Sequence, residues 1–371
     1  MADKIRIGVI FGGRSGEHEV SLLSARSVLS VLDPAAYEIT QIGITNEGIW
    51  LTGPSALEAF EKKQYDSLSP AILLPEPQNA MLYRIRKSPA GDILEPLTHL
   101  DVVFPVLHGT FGEDGTVQGL LELADVAYVG GGVLASSVGM DKVVFKEVIR
   151  ANNLPVVASL VFTRRQIETS MLDVVAQIEA SLPYPVFVKP VNSGSSVGIS
   201  KCAGHSDLVE GLMDAAQYDR RIMVEAAVKN AREIEVSLLG NEHPKASVLG
   251  EVLPSDEFYT YNAKYIDNKS ELVIPARVEP ELARRIQKTA EKAFSLIDCA
   301  GMARVDFLLE RGTDTFYVSE INTIPGFTEI SMYAKLWDAS GLPYAGLVKQ
   351  LIDLALERKS DRDHTKYRRE A

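Results

Sequence analysis

The chain alternates short, β-rich apolar runs with stretches of helical spacing. Ile5 to Ile10 is an apolar run that stops at Gly12-Gly13, and Glu17 to Leu32 then carries Val20, Leu23, Val28 and Leu32 at helical intervals. This order predicts a strand, a glycine turn and a helix. Tyr37 to Thr45 and Asp101 to Leu107 read as further strands, each followed by turn residues or a helical segment. Such alternation favours a mainly parallel sheet. A helix after Asp141 is expected to end near Asn152, because Pro155 cannot continue it.

Beyond that point the pattern changes. Strands are predicted at Val156 to Thr163, Pro185 to Lys189, Ile199 to Lys201 and Arg221 to Glu225, around helices at 166–180 and 206–217, which makes a compact middle domain. Strands resume at Glu233 to Leu239 and Ala246 to Leu253. The polar, aromatic stretch 254–270 that follows is long for a connector, and loops of that length are usually functional or mobile. An amphipathic helix at 279–297, strands at 302–310 and 314–321 and a helix at 343–356 complete the pattern. The expected divisions are 1–140, 141–228 and 229–356, with a charged tail, 357–371, that lacks apolar periodicity and is expected to fray. The chain has no internal repeat.

A length of 371 residues exceeds one typical domain, and 46% hydrophobic with 24% charged residues is ordinary globular composition. A net charge of −12 argues against a nucleic-acid partner, since phosphate backbones are bound mainly by Lys and Arg. Cys202 and Cys299, the two cysteines, form neither a disulfide framework nor a Cys-based zinc site, and fit a reducing compartment. No apolar run approaches the roughly 20 residues of a membrane span. A cytoplasmic protein without a membrane partner is therefore expected.

Two constellations carry candidate chemistry. Val186-Phe187-Val188-Lys189-Pro190 leads into Asn192-Ser193-Gly194-Ser195-Ser196-Val197-Gly198, so a strand delivers a lysine beside a flexible loop whose N–H groups can close over phosphates. It is not a P-loop, because no Gly-Lys-Ser/Thr follows the glycines. A plain hairpin with a flexible tip is the alternative. The second constellation is Arg304-Val305-Asp306 on one strand and Glu320-Ile321-Asn322 at the end of the next. Alternate side chains share a strand face, so pairing of these strands would bring two carboxylates and an amide together, a set that suits Mg²⁺. An exposed polar strand face is the other reading.

Two Gly/acid segments, Gly12 to Ser21 and His108 to Gly115, follow strand ends, where open α/β sheets place ligands. The first fails the dinucleotide fingerprint, since Phe11 stands where a glycine is required. Taken singly, each reads more readily as a helix cap, with Ser15 or Ser21 capping and His108 a hydrogen-bonded core histidine.

Together and in this order, the segments resemble the D-alanine:D-alanine ligases of the ATP-grasp superfamily over about residues 4–356. The resemblance rests on Gly12-Gly13-x-Ser15-x-Glu17-x-Glu19-Val20-Ser21, His108-Gly109 with Gly112-Glu113-Asp114-Gly115, and Met140-Asp141-Lys142. Further along the chain it rests on the Lys189-Pro190 and Gly194 to Gly198 loop, Tyr261-Asn262-Ala263-Lys264-Tyr265, Arg304-Val305-Asp306, and Glu320-Ile321-Asn322-Thr323-x-Pro325-Gly326-Phe327-Thr328.

It implies an α/β fold of three domains, an N-terminal parallel-sheet domain and two that clasp ATP, with 254–270 as a lid. Lys142, Lys189, Ser195 and Lys264 would hold ATP, with Glu225 and Glu233 near adenine and ribose. Asp306, Glu320 and Asn322 would ligate Mg²⁺ or Mn²⁺, two ions per site. Glu19 would hold the ammonium of the first D-alanine with His108 nearby, and Ser331 and Met332 would meet the carboxylate of the second. Arg304 and the backbone of Gly326 would stabilise the oxyanion, while Ser195 and Tyr265 pair and, with Glu19, tie loop and lid to the first domain. A homodimer is implied as well.

Tyr265 favours D-alanine over D-lactate as acceptor; D-serine is a further alternative. An inactive nucleotide-binding regulator on the same fold is opposed by the retained lysines, metal-ligand candidates and Arg304. A dinucleotide oxidoreductase is opposed by the missing fingerprint. The extra length at about 55–97 has no functional reading from sequence.

Overall fold

The computed structural model describes residues 4–194, 197–253 and 271–367. Its first unit is built from β1 (Ile5–Gly12), α1 (His18–Val31), β2 (Tyr37–Ile44), β3 (Trp50–Thr52), α2 (Ala56–Glu61), β4 (Ser69–Leu73), β5 (Met81–Ser88), β6 (Gly91–His99), β7 (Val102–Pro105), α3 (Thr116–Leu123) and β8 (Ala127–Tyr128). The sheet order is β6-β5-β4-β3-β2-β1-β7-β8. Only β2-β1-β7-β8 is parallel. Ile7, Val9, Ile10 and Phe11 of β1 are fully buried, as a parallel strand covered on both faces requires.

The 55–97 stretch supplies α2 and an antiparallel meander, β4-β5-β6, that widens the sheet at the edge away from β8. In α1 the inward stripe runs through His18, Ser21, Leu22, Ala25 and Val28, so Leu22 is buried and Leu23, expected inside, is 52% exposed. The stripe contains small and polar residues that a count of apolar positions passes over.

The middle unit is a four-stranded antiparallel sheet, β11 (Ser200–Cys202), β10 (Val186–Pro190), β12 (Arg221–Ala226) and β9 (Ser159–Thr163) in that order, backed by α6 (Arg164–Ser181) and α7 (His205–Tyr218). Its core is its own: Phe162, Ile178, Val188, Leu212 and Val224 pack together. The third unit has the order β15 (Glu271–Val273), β14 (Lys245–Leu253), β13 (Ala231–Gly240), β16 (Gly301–Glu310), β17 (Phe316–Asn322), all antiparallel, with α8 (Pro280–Leu296), α9 (Met332–Ala339) and α10 (Tyr344–Arg362).

Two expected divisions move. Between the first and middle units lie α4 (Val133–Met140) and α5 (Lys142–Ala151), and Phe145 and Ile149 of α5 pack with Ile286, Phe294 and Val318 of the third unit rather than with the middle sheet. The terminal helix also continues to Arg362, past the point where fraying was expected. Arg358 donates to the carbonyls of Gly130 and Tyr128 and stacks on the Tyr128 ring, while Arg362 pairs with Glu122 and Asp125. These charges are contacts to the first unit, not a solvated tail. The first and third units also share a core in which Ile7 and Phe104 meet Phe327, Tyr333 and Leu351.

Candidate active site

A cleft of about 540 Å³ opens where the three units meet, and Glu17, His108, Lys142, Gly194, Arg304 and Asn322 all reach it. Its first wall is made by the ends of β1 and β7, which is where an open sheet leaves room beside its strand termini. The second is the β10–β11 tip. The third is one face of β16 and β17.

On the side of the middle unit, Asp141 caps α5 by accepting from Val144 N at 3.0 Å and is paired with Arg221. Lys142, the next residue, donates to the Ser193 carbonyl at 2.6 Å, so this candidate phosphate lysine rests against the glycine loop. The β10–β11 connection is an antiparallel hairpin with Phe187 opposite Lys201. The hairpin reading therefore holds, and its described tip residues Ser193 and Gly194 line the cleft beside Lys142.

Lys189 meets Glu225 at 2.7 Å, and the other carboxylate oxygen of Glu225 meets Lys146 at 2.5 Å. Glu225 and Lys146 are 1% and 2% exposed. The Glu225 side chain is thus turned to two lysines, where an adenine-facing carboxylate was expected. Burial alone would raise the Glu225 carboxyl, but Lys146 and Lys189 outweigh it and hold it at about 2. Burial lowers Lys146 against the pull of Glu225; Lys189, also opposed by burial, is kept above its ordinary value by the same carboxylate.

Replacing Glu225 with glutamine is expected to cost about 3–5 kcal/mol at neutral pH, because it leaves a buried lysine charge uncompensated. The native carboxyl sits below its unfolded value, so its contribution is present above the ordinary carboxylate range and drains away as pH falls towards about 2. Thermal unfolding midpoints of the two proteins should therefore converge in acid; a gap that is constant with pH would contradict this origin.

On the third unit, Arg304 faces Asn322 and Asp306 faces Glu320 across the β16–β17 ladder, with a bulge after Asp306. Across β13 the partners are Ser237 opposite Arg304 and Glu235 opposite Asp306. Period-two alternation places all these side chains, with Glu233, on one face. Arg304 grips Asp306 by two bonds of 2.7 Å, and Asn322 Nδ2 donates to Asp306 Oδ2 at 3.0 Å. Among the described residues no group of three or more His, Cys, Asp or Glu converges as a metal cage. Two carboxylates and an amide nevertheless fit Mg²⁺, which binds few protein oxygens and completes its shell with water and phosphate.

On the first unit the structure corrects one residue. Glu19 points out of the cleft and meets Lys63 at 3.5 Å, both side chains being more than half exposed. Glu17, two positions earlier, is 8% exposed and lines the cleft. Glu17 is the N-cap residue just before α1 and Glu19 lies in its first turn, and the chain there buries the first and exposes the second. The glycine loop closes directly on Glu17: a Cβ at Gly194 would lie 2.6 Å from Glu17 Oε2, and one at Gly109 at the same distance.

His108 is buried with both ring nitrogens engaged. Nδ1 lies 3.0 Å from the Ile324 carbonyl, which can only accept, so Nδ1 carries the hydrogen and Nε2 accepts from Ser24 Oγ at 2.9 Å. Burial lowers His108, against Glu17 and the Ile324 carbonyl, and keeps it neutral. Its expected role beside the substrate becomes one of clamping, because no ring nitrogen is left to point at a ligand.

The clamp holds the loop that bears Gly326. Ser24 Oγ accepts from Phe327 N at 3.3 Å, and Glu113 accepts from Gly109 N at 2.8 Å and Ile324 N at 3.2 Å. Burial, and then the Glu17 carboxylate, push Glu113 up to about 8. At the far end of the cleft Ser331 Oγ bonds Thr328, which leaves the first N–H groups of α9 without a side-chain cap from its N-cap residue, and Met332 and Lys335 line the same end. Uncapped N–H groups at a helix start suit a carboxylate.

Ser195, Lys264, Tyr265 and the 254–270 stretch lie outside the described residues. Sequence reasoning missed Glu17 as the inward acid, and also Ser24, Glu113, Lys146, Glu235 and Lys335. No periodic signal separates Glu17, just before the helix, from Glu19 in its first turn, and the others depend on partners distant in the chain or carry no pattern.

The N-terminal family of D-ala D-ala ligases matches residues 6–131, and the C-terminal one matches residues 148–353. The chain is 47% identical to the D-alanine–D-alanine ligase of Natranaerobius thermophilus over 97% of each chain. It belongs to the D-alanine–D-alanine ligase family. Another relative of that name, from Ruminiclostridium cellulolyticum, is 47% identical over 96% of this chain and 97% of its own. Among solved structures, the D-alanine–D-alanine ligase from Coxiella burnetii superposes with a TM-score of 0.81 at 34% identity, covering 98% of this chain and 97% of that one. The VanG D-Ala:D-Ser ligase from Enterococcus faecalis does so with 0.83 at 33% identity, covering 95% and 100%. The three sheets are thus the three domains of an ATP-grasp ligase, a family that uses ATP.

Proposed function

We propose that this chain uses ATP to join two D-alanine molecules into D-alanyl-D-alanine, a peptidoglycan precursor, releasing ADP and phosphate. The observation that carries this reading is a single cleft where an inward acid from the first domain, a loop-bound lysine from the middle one and an arginine beside two carboxylates from the third all meet. Phosphoryl transfer is chiefly positioning and neutralisation of spread charge. Lys142 and Lys189, helped by Ser195 and Lys264 when the lid closes, hold the triphosphate, with Glu233 near the ribose. Asp306, Glu320 and Asn322 would hold Mg²⁺ or Mn²⁺, two ions in the charged site, which supply further neutralisation of the phosphates.

Glu17 takes the ammonium of the first D-alanine, in place of Glu19. A carboxylate oxygen of that molecule attacks the γ-phosphorus, the bond to ADP breaks, and D-alanyl phosphate forms. The amine of the second D-alanine, whose carboxylate lies at the start of α9 by Ser331 and Met332, attacks the acyl carbon. Arg304 and the Gly326 N–H stabilise the oxyanion; the amine proton is lost and phosphate leaves. Ser195 and Tyr265 keep the role the resemblance implies, tying the glycine loop to 254–270, because an acyl phosphate must be kept from water.

A homodimer and a cytoplasmic location belong to the same reading, and among the described residues no helix is long and apolar enough to cross a membrane. The test is phosphate release with Mg-ATP, products being identified by mass. D-alanine should give D-alanyl-D-alanine and L-alanine no product. The likeness to a D-Ala:D-Ser ligase makes D-serine, with D-lactate, the acceptor to compete against D-alanine. A mixed product in excess would overturn the acceptor assignment, and absence of D-alanine-dependent release would overturn the activity.

A further inference from the structure

We propose that Glu235 is the positioning residue of Arg304, holding the guanidinium over the cleft when Asp306 turns to a divalent cation. The proposal rests on Arg304 being the oxyanion donor. Glu235 sits mid-way along β13, the central strand of the third sheet, opposite Asp306 and two residues before Ser237, the partner of Arg304. On its other side, across β14, stands Gly250, where a Cβ would lie 2.8 Å from Met332 Sδ and 2.9 Å from Leu336 Cδ2. The missing side chain lets α9 close down over the sheet beside Glu235. The carboxylate is only 6% exposed, yet it reaches the cleft.

Arg304 Nε is shared. Its hydrogen goes to Asp306 Oδ1 at 2.7 Å, and Glu235 Oε2 stands 3.0 Å away as an ion-pair partner. Nη2 holds Asp306 Oδ2, so the guanidinium occupies both oxygens of a carboxylate that the divalent cation also needs. Each carboxylate oxygen offers about two lone pairs, and metal ligation draws on the same ones. When Asp306 turns to the cation, Nε–H can swing to Glu235, which burial protects from competing ligands. A guanidinium on a long, rotamer-rich stem would otherwise lose its aim, and misplacement of a reacting group by about 1 Å can cost about 10²-fold in rate.

The experiment compares Glu235→Gln, Glu235→Asp, Glu235→Ala, Arg304→Ala and the double variant Glu235→Ala/Arg304→Ala. Steady-state kcat and KM for ATP and D-alanine are measured, together with Mn²⁺ binding in the presence of ADP by electron paramagnetic resonance. Glu235→Gln should lower kcat by about 10- to 100-fold with KM for ATP within about three-fold, and Glu235→Asp should recover much of the loss. Glu235→Ala should weaken Mn²⁺ binding, since Arg304 then competes for Asp306 without a second anchor. Added to Arg304→Ala, it should cost less than about two-fold more, the non-additivity expected of a residue that acts through another.

Wild-type kcat in the glutamine and alanine variants, additive losses in the double variant, or parallel loss of kcat, ATP affinity and unfolding midpoint in Glu235→Gln would each overturn the role. Full turnover by Arg304→Ala would instead overturn the oxyanion assignment itself, and the positioning role with it.

Discussion

Arg304→Ala is expected to lower kcat by about 10²- to 10³-fold while ATP affinity changes by less than about three-fold. The asymmetry follows from where the residue sits. The candidate phosphate lysines are carried by α5 and β10, and both are held by partners other than Arg304: Lys142 by the Ser193 carbonyl, Lys189 by Glu225. Arg304 stands on β16 against Asp306 and Glu235, and it lines the cleft together with Gly326 and with Ser331 and Met332 at the start of α9. A preorganised donor facing a developing oxyanion acts on the transition state and adds little to nucleotide binding. Steady-state turnover at saturating D-alanine, set beside calorimetric ATP titration, decides the matter. Equal loss of both would mean that Arg304 supports the nucleotide site instead.

Glu17→Gln is expected to reduce kcat/KM for D-alanine by about 10²-fold, whereas Glu19→Gln should stay within about two-fold of the parent. The two acids lie two residues apart, and the contrast rests on burial. Glu17 is covered by Gly109 and Gly194 and faces the cleft, so an ammonium beside it meets a charge little screened by water. Glu19 pairs with Lys63 in solvent, where ion pairs contribute at most about 1 kcal/mol. Competition kinetics with D-alanine at fixed ATP separate the two variants. A Glu19→Gln protein as impaired as Glu17→Gln would return the substrate role to Glu19.

Much of the site was legible because strand periodicity is rigid. Arg304 with Asp306, and Glu320 with Asn322, had to share faces once each segment was a strand, and the β16–β17 pairing then joined the two sets. The helix end was less legible. No periodic signal separates the residue just before α1 from one in its first turn, so the motif that contains both Glu17 and Glu19 named two acids without separating them.

Glu225 was expected near the nucleotide, but its lysine partners were not foreseen, since Lys146 lies 79 positions earlier on a helix of a different packing unit. The tail at 357–362 read as solvated charge because its counter-charges, Glu122 and Asp125, sit more than 230 residues away. A similar reason applies to α5: a helix was expected there, but a helix pattern does not say which sheet covers it.

By itself, then, the chain determined the elements, the α/β class, the loop and strand motifs, and hence the family, because these follow from local sterics, period and residue chemistry within a few positions. Tertiary structure alone decided which acid of the first helix looks inward and that His108 clamps the Gly326 loop. It also decided that Glu225 anchors two lysines and that Arg304 lies between two carboxylates. Those are pairings between buried charges far apart in the chain, and a buried charge is defined by its partner, which no local pattern specifies.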